Sequence, residues 1–324
     1  TYVKASDESH GVVGDRRNQS VRVDATELRA RIVAEGGNLG VTQRARVEYA
    51  VAGGKINADF IDNSAGVETS DREVNLKILL DAAIAAGRLD RARRDELLHE
   101  AAPQVVAHVL ANNAAQAQSL SVSEWLGPLL LDPLADVIRL LEQRGVLDRR
   151  EESLPDEEAL ARRRADGIGM TRPEMALLLA SAKNTYSQTL LASDVPDDPG
   201  VRADTLNRYL PPSLAEFGDL MAVHPLRREI ATSVLVNEMM NRLGSGLVRR
   251  VIELSGQHEP QAALGYLAGR DVLGLPAVWA EIDHLDIATH GAVQTRMLVE
   301  LRTVAERSTR WFLRHRHVVD PAFE

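Results

Sequence analysis

The pattern of apolar residues changes near Gly87, and this change limits the folds that the chain can adopt. Before Gly87, short apolar runs alternate with segments whose apolar residues recur every three or four positions. After it, we find only the helical spacing. The sequence therefore predicts two domains, with residues 1–88 ending an α/β domain and residues 89–324 forming an all-helical one.

The first part predicts the order strand, helix, strand, helix. The strands are expected at residues 30–34 and 56–61, and Thr42 is a suitable N-cap for the helix between them. Ser70 and Glu73 have the spacing of a capping box, which predicts a helix from Ser70 to Gly87. The connection between the strands is long enough for the right-handed crossover of a parallel pair. Two strands cannot bury themselves alone, so further strands are expected before Thr1 or in a partner.

The second part carries caps and apolar spacing typical of helices. Helices are predicted near residues 91–101, 103–118, 133–144, 156–165, 172–191, 201–209, 213–222, 225–242, 247–255, 260–272 and 286–315. Three tryptophans, Trp125, Trp279 and Trp311, fall on otherwise apolar stretches and are expected in the core.

Charge and composition exclude several classes of function. The formal net charge of -9 disfavours nucleic acids and anionic membranes, since both need a clustered positive field. No apolar run approaches the roughly 20 residues of a membrane span. The absence of cysteine rules out thiolate chemistry and fits the cytoplasm, while the nine histidines show no metal-ligand spacing, so no metal is expected.

Two glycine-containing loops follow the predicted strands, at residues 35–40 and 62–67. Ligands of parallel α/β sheets bind beyond the carboxyl ends of the strands, where these loops would lie. The loops contain Asn38 and Asn63, whose amides can both donate and accept, as the carboxamide of nicotinamide requires. Gly36 and Gly37 would let a ligand approach the backbone closely. The alternative is that both asparagines only satisfy turn geometry.

Ser70 is the candidate for binding a substrate carboxylate. At a helix start, free N–H groups and the helix dipole favour an anion. A capping role with Glu73 would explain the same serine without a ligand, and the two roles are compatible.

The segments AEGGNLGVTQ (34–43) and NADFIDNSAGVETSDREVN (57–75) resemble the final strands of glutamate dehydrogenase nucleotide domains, which read E-G-A-N and N-A-G-G-V-x-x-S. Residues 171–199, 224–244, 277–286 and 308–316 resemble the C-terminal helical region of the large bacterial NAD-specific enzymes. The resemblance implies the end of a Rossmann-like α/β dinucleotide-binding domain followed by an all-helical C-terminal domain. Gly37, Leu39-Gly40 and Ser64-Ala65 depart from the pattern of the small enzymes.

On this resemblance, the parent enzyme oxidises L-glutamate to 2-oxoglutarate and ammonia with NAD as its cofactor. Gly36, Gly37, Asn38 and Asn63 would then contact NAD, and Ser70 would contact the side-chain carboxylate of glutamate. The family's catalytic lysine and aspartate and its phosphate loop have no counterpart here and are expected before Thr1, in the rest of the parent chain. No catalytic residue is therefore assigned to this chain, which should be inactive alone, and a homo-oligomer is expected.

Two alternatives remain open at this point. The chain could be a noncatalytic helical interaction or regulatory module in which the α/β part only caps the fold. It could instead belong to a different amino-acid dehydrogenase whose similar loops serve an apolar side chain. Ser70 and the long helical region favour glutamate.

Overall fold

The computed structural model describes residues 1–285 and 288–315, and it is mostly helical. Helices make up 73% of the described residues and strands only 3%. The predicted mixed fold, ending a Rossmann-like α/β domain, is therefore wrong. The physical reason is that the apolar run at residues 30–34 contributes only Ile32 and Val33 to a strand, and the run at 56–61 contributes only Ile56.

The N-terminal segment contains four two-residue strands and two helices. They are β1 (Val3–Lys4), α1 (His10–Val13), β2 (Val23–Asp24), β3 (Ile32–Val33), α2 (Gln43–Val51) and β4 (Lys55–Ile56). The strands form two separate parallel pairs, β1 with β2 and β3 with β4. The predicted order of strand, helix and parallel strand is thus present in β3, α2 and β4, but as a pair too short to form a layer.

Helices dominate the remaining chain. They are α3 (Asp59–Asp62), α4 (Ser64–Ala85), α5 (Arg91–Leu126), α6 (Leu131–Gln143), α7 (Glu157–Asp166), α8 (Arg172–Leu191), α9 (Pro199–Tyr209), α10 (Gly218–Met221), α11 (Arg227–Leu243), α12 (Ser245–Ser255), α13 (Glu259–Val272), α14 (Leu275–Asp283) and α15 (Gly291–Arg314). Short 3-10 helices lie at Arg16–Val21, Ala25–Glu27, Gly127–Leu130, Val195–Asp197 and Pro212–Phe217. No helix in the described part of the chain is both long and apolar enough to cross a bilayer.

Local capping explains many of the helix starts. Asp90 accepts a hydrogen bond from the Arg93 amide at the start of α5, and Asp156 accepts one from Ala159 at the start of α7. Glu174 completes a capping box at the start of α8. These starts are where the sequence predicts them, because a cap acts within one turn of helix.

Tertiary packing changes other boundaries. The two helices predicted at 91–101 and 103–118 form one helix, α5, with Pro103 inside it. A proline inside a helix lowers the stability of that helix by roughly 3 kcal/mol. The apolar residues on either side of Pro103, Ala101 and Val105, are buried in the core. Likewise α4 begins at Ser64, so the helix start and capping box predicted at Ser70 are wrong.

Three apolar clusters hold the fold together. The largest joins α5, α6, α8 and α11 to α15, and a second packs α4 against α5, α9 and α11. The third is small and lies under α2, around Val3, Val41, Tyr49 and Ile56. It supports the loop after β3, whereas the other two support the helices that follow β4.

The domain boundary at residue 88 stays a prediction.

Candidate functional site

The two loops predicted to share one rim are joined by their asparagines. Asn63 donates a hydrogen bond from Nδ2 to Oδ1 of Asn38. Asn63 lies between α3 and α4, and Asn38 lies in the loop between β3 and α2. The side chain of Asn63 does not cap α4. The structure therefore brings together two residues that are 25 positions apart in the chain.

A buried ion cluster fixes the loop that carries Asn38. Glu35 receives two hydrogen bonds from Arg46 of α2, at 2.6 Å from Nε and 3.0 Å from Nη2. Arg46 Nη2 also lies 3.3 Å from Oδ1 of Asp59. The three side chains are 10% exposed or less. Because a bidentate guanidinium pair has a defined geometry, it fixes the start of the loop, at Glu35, against α2.

Three carboxylates, those of Glu35, Asp59 and Asp62, accept hydrogen bonds from the backbone of the loop. Asp59 Oδ2 accepts from the Leu39 amide at 2.8 Å, and Glu35 Oε1 accepts from the Val41 amide at 3.1 Å. Asp62 Oδ2 accepts from the Glu35 amide at 3.0 Å. Acidic side chains thus accept hydrogen bonds from three backbone N–H groups of the loop. The shape of the loop therefore does not depend on a longer sheet.

The helical part of the chain supports this site from behind. Asn57 donates to Asp62 Oδ1 at 2.7 Å and accepts from Arg172 Nε at 2.9 Å. Arg172, the first residue of α8, also pairs with Glu124 of α5 at 3.0 Å. An uninterrupted polar chain therefore runs from α5 and α8 to the loop after β3.

Open space lies over the joined asparagines. Gly36 and Gly37 are exposed, and no atom lies within 4 Å of where a Cβ would stand on either. Leu39 and Val67 are 69% and 70% exposed. Leu39 has a φ of 60°, a conformation that is uncommon for a residue with a side chain. The loop thus presents its backbone and Leu39 outward, and α4 presents Val67.

Ser70 lies inside α4 and not at its start. Inside a helix, the backbone N–H groups bond to carbonyl groups one turn earlier. The N–H groups near Ser70 are therefore not available to bind an anion, contrary to what the sequence had suggested. Ser70 is exposed, and it follows Asn63 by seven residues, which is two turns or about 10 Å along the axis. Residues separated by seven positions lie on one face of a helix, so Ser70 and Asn63 share a face.

A cleft of about 730 Å³ begins beside Asn63 and runs between α4, α5 and α11. Glu68 on its wall binds Arg72 at 2.9 Å and Asn112 at 2.6 Å. His108 has a pKa lowered by burial and by the nearby Arg72 guanidinium, which keeps the ring neutral at neutral pH. The wall is therefore polar and internally paired.

Lys183 of α8 is buried near this wall. Burial lowers the pKa of Lys183 from 10.5 to about 7, and Glu68 opposes the shift. Its Nζ has no hydrogen-bond partner among the described residues. The sequence analysis did not single out Lys183. Its neighbours Leu179, Ala182 and Tyr186 are apolar and buried, so a lysine among them was the available signal of a buried charge.

Sequence reasoning also missed Arg46, Asp59 and Asp62. Arg46 and Asp59 fall in segments predicted as an ordinary helix and a strand, and Asp62 begins the second candidate loop. Only the folded chain places the three around Glu35. Across residues 1–285 and 288–315, no cluster of three or more His, Asp or Glu side chains could hold a metal ion. His317 lies outside the described residues, and His315 stacks on Trp311.

Comparison with known proteins identifies two family models in this chain. The family "Bacterial NAD-glutamate dehydrogenase, catalytic domain" matches residues 1–123, and "Glutamate dehydrogenase, C-terminal" matches residues 167–321. An NAD-specific glutamate dehydrogenase of Pseudomonas aeruginosa is 43% identical over 317 residues, and that of Halomonas elongata is 41% identical over 317 residues. The Mycobacterium tuberculosis enzyme is 40% identical over 318 residues. Each alignment covers 98% of this chain but only 19–20% of the relative, so the chain spans about a fifth of their length.

Proposed function

Because this chain belongs to the bacterial NAD-specific glutamate dehydrogenase family, as a C-terminal portion of such an enzyme, we propose that it forms one wall of an active site that oxidises L-glutamate. The parent enzyme converts L-glutamate and NAD to 2-oxoglutarate, ammonia and NADH. The nicotinamide accepts the hydride, while the protein supplies position and electrostatics.

The hydrogen bond between Asn63 and Asn38 carries this proposal. It uses one donor of Asn63 and one acceptor of Asn38. The remaining side-chain groups of the pair are Oδ1 of Asn63 and Nδ2 of Asn38. Neither has a hydrogen-bond partner in the part of the chain that the structure describes. A primary carboxamide has one carbonyl and one NH₂ group, so it can accept from Asn38 and donate to Asn63 together. The pair is thus complementary to the carboxamide of nicotinamide.

The surroundings of the pair support the same ligand. Gly36 and Gly37 offer backbone without side chains in the way, which suits close approach by a dinucleotide. Leu39 and Val67 are exposed apolar side chains beside the asparagines. They would cover part of the flat, apolar nicotinamide ring.

Ser70 would bind the distal carboxylate of glutamate. Its hydroxyl is a donor on the same face of α4 as Asn63, about 10 Å further along the axis. A substrate lying along α4 could therefore place its reacting carbon towards the nicotinamide and its side-chain carboxylate towards Ser70. Since Ser70 is not at a helix start, this proposal rests on the hydroxyl and not on the helix dipole.

The remaining parts of the proposal concern the whole enzyme. The rest of the parent chain would supply the catalytic lysine and aspartate and the phosphate loop. Residues 1–88 would belong to the catalytic part, and residues 89–324 would form a helical C-terminal domain. We place the enzyme in the cytoplasm as a homo-oligomer.

The test uses the full-length enzyme with Asn63→Leu. Leucine keeps the approximate size but removes both donor and acceptor, so the KM for NAD should rise at least tenfold while the fold is kept. Asn207→Leu is the matched control, because Asn207 is an exposed amide on α9 away from the loops. Equal NAD kinetics in well-folded Asn63→Leu and control enzymes would contradict the cofactor role. A full-length enzyme that neither binds NAD nor oxidises glutamate would favour the interaction module instead.

A further inference from the structure

The guanidinium of Arg302 is buried without a counter-charge. Arg302 lies on α15 and is 2% exposed. No carboxylate of residues 1–285 or 288–315 lies within 4 Å of it, whereas most arginines of the chain form ion pairs. Burial lowers the pKa of Arg302 to about 9, and no neighbouring charge offsets this. The side chain therefore stays protonated at neutral pH inside the helical core.

Neutral acceptors satisfy only part of the Arg302 side chain. Nε donates to the Arg242 carbonyl at 3.2 Å, and Nη1 donates to Ser123 Oγ at 3.1 Å. Nη2 donates to Ser119 Oγ at 3.2 Å and to the Ser119 carbonyl at 3.5 Å. A guanidinium has five N–H donors, so these four bonds leave at least one donor without an acceptor in the described structure. None of the acceptors carries a negative charge.

The start of α12 lies against the same guanidinium. Gly244 precedes this 11-residue helix with a φ of 76°, and no side chain caps it. The first N–H groups of a helix lack partners within the helix and carry a partial positive charge. A Cβ on Gly244 would stand 3.0 Å from Arg302 Nη2, so the guanidinium lies directly against this turn. Two positive features thus face each other.

A small cavity lies beside the guanidinium and the start of α12. Its accessible volume is about 10 Å³, and its polar lining comes from Ser119, Ser123, Ser245, Gly246 and Arg302. The rest of the lining is Gly244, leucine and methionine. Arg242, whose carbonyl accepts from Arg302, has its own guanidinium paired with Asp283 at 3.1 Å. A volume of this size holds one water-sized guest, which excludes phosphate, sulfate and carboxylates.

We propose that this cavity is a binding site for a single halide ion, with chloride as the physiological occupant. An unpaired buried charge is strongly unfavourable, and a monovalent anion here would neutralise Arg302 while accepting from α12. A water molecule could accept the spare N–H but would leave the charge unbalanced. The ion would join α5, α11, α12 and α15 at one point. This site is independent of the proposed nicotinamide site.

Crystals of the protein grown without halide and then soaked in sodium bromide test the site directly. An anomalous bromide peak is expected within about 3.5 Å of an Arg302 Nη atom and of the first amides of α12. Electron density for a water with no anomalous signal at this position would overturn the proposal.

Thermal unfolding in sodium chloride and in sodium gluconate at equal ionic strength tests the site in solution. The wild type should show a saturable rise in Tm that is specific to chloride. Arg302→Met should lose this rise, and Arg296→Met, which removes an exposed arginine from the same helix, should keep it. If Arg302→Met does not fold, Ser245→Ala keeps the guanidinium, removes a hydroxyl donor from the cavity lining and should need several-fold more chloride for the same effect. An unchanged chloride midpoint in Ser245→Ala would count against the site.

Discussion

Arg46 Nε lies 2.6 Å from Glu35 Oε2, and the two side chains are only 5% and 4% exposed. This pair links α2 to the loop that carries Asn38. Since Arg46 also contacts Asp59, it lies between two buried carboxylates, and no other cation of residues 1–285 and 288–315 pairs with either of them. Its removal leaves both carboxylates without a counter-charge among these residues.

We therefore predict that Arg46→Met lowers the free energy of unfolding by about 3–5 kcal/mol, the range for breaking a buried ion pair on one side. Urea unfolding measures this change. Arg44→Met is the control, because Arg44 pairs with Asp7 while half exposed, and such pairs contribute at most about 1 kcal/mol. Similar losses in the two variants would show that the buried cluster adds no more than a surface pair.

The second prediction concerns Ser70 in the full-length enzyme. Ser70→Ala should weaken glutamate use, measured as kcat/KM, by about 1.5–3 kcal/mol, the range for a hydrogen bond to a charged group. The KM for NAD should stay within about twofold of its wild-type value. Since Ser70 lies inside α4 and is exposed, the thermal stability should not fall. Unchanged glutamate kinetics would remove Ser70 from the substrate site.

The third prediction follows from the buried amine of Lys183. Its pKa is about 7 in the folded protein and about 10.5 in the unfolded chain, so the unfolded state binds more protons between these values. Stability should therefore rise with pH from about 7 towards 10.5, relative to Lys183→Met. Below pH 7 both states are protonated, and the wild type should be the less stable of the two. Unfolding by urea at several pH values gives the two curves.

Lys77→Met is the control for this pH dependence. Lys77 is 44% exposed and pairs with Glu73 one turn earlier in α4. Its variant should follow the wild-type pH profile. Parallel profiles for Lys183→Met and the wild type would mean that Lys183 stays protonated in the folded protein.

The fourth prediction concerns residues 1–324 expressed alone. Hydride transfer requires cofactor and substrate to be held together, and this chain spans about a fifth of the relatives it matches. We expect no formation of NADH above background with saturating glutamate and NAD. Purified full-length enzyme assayed in parallel is the positive control. Turnover by the isolated residues would overturn the proposal that essential groups lie elsewhere in the parent chain.

Several features of the fold could be predicted from the sequence alone. The helix predicted at 172–191 has the bounds of α8, and the one predicted at 156–165 differs from α7 by one residue at each end. Gly244 lies between α11 and α12, in the gap between the helices predicted at 225–242 and 247–255. Caps and apolar spacing act within one or two turns, so the order of residues is enough to reveal them.

Burial was less predictable. The three tryptophans have the same apolar sequence context, yet Trp279 is 4% exposed while Trp125 and Trp311 are 52% and 49% exposed. Core packing was therefore predicted correctly for Trp279 and wrongly for the other two. Which face of a helix is covered depends on its neighbours, and periodicity alone does not identify them.

The sequence by itself determined the helices, the family resemblance and the two asparagine loops. Only the tertiary structure decided that the second strand ends at Ile56, that Ser70 lies inside a helix, and that Arg302 is buried without a carboxylate among the described residues. The contacts responsible join distant positions, as when Arg172 binds Asn57 across 115 residues. Local signals specify backbone conformation, but the burial and pairing of a charge depend on chain segments that meet only after folding.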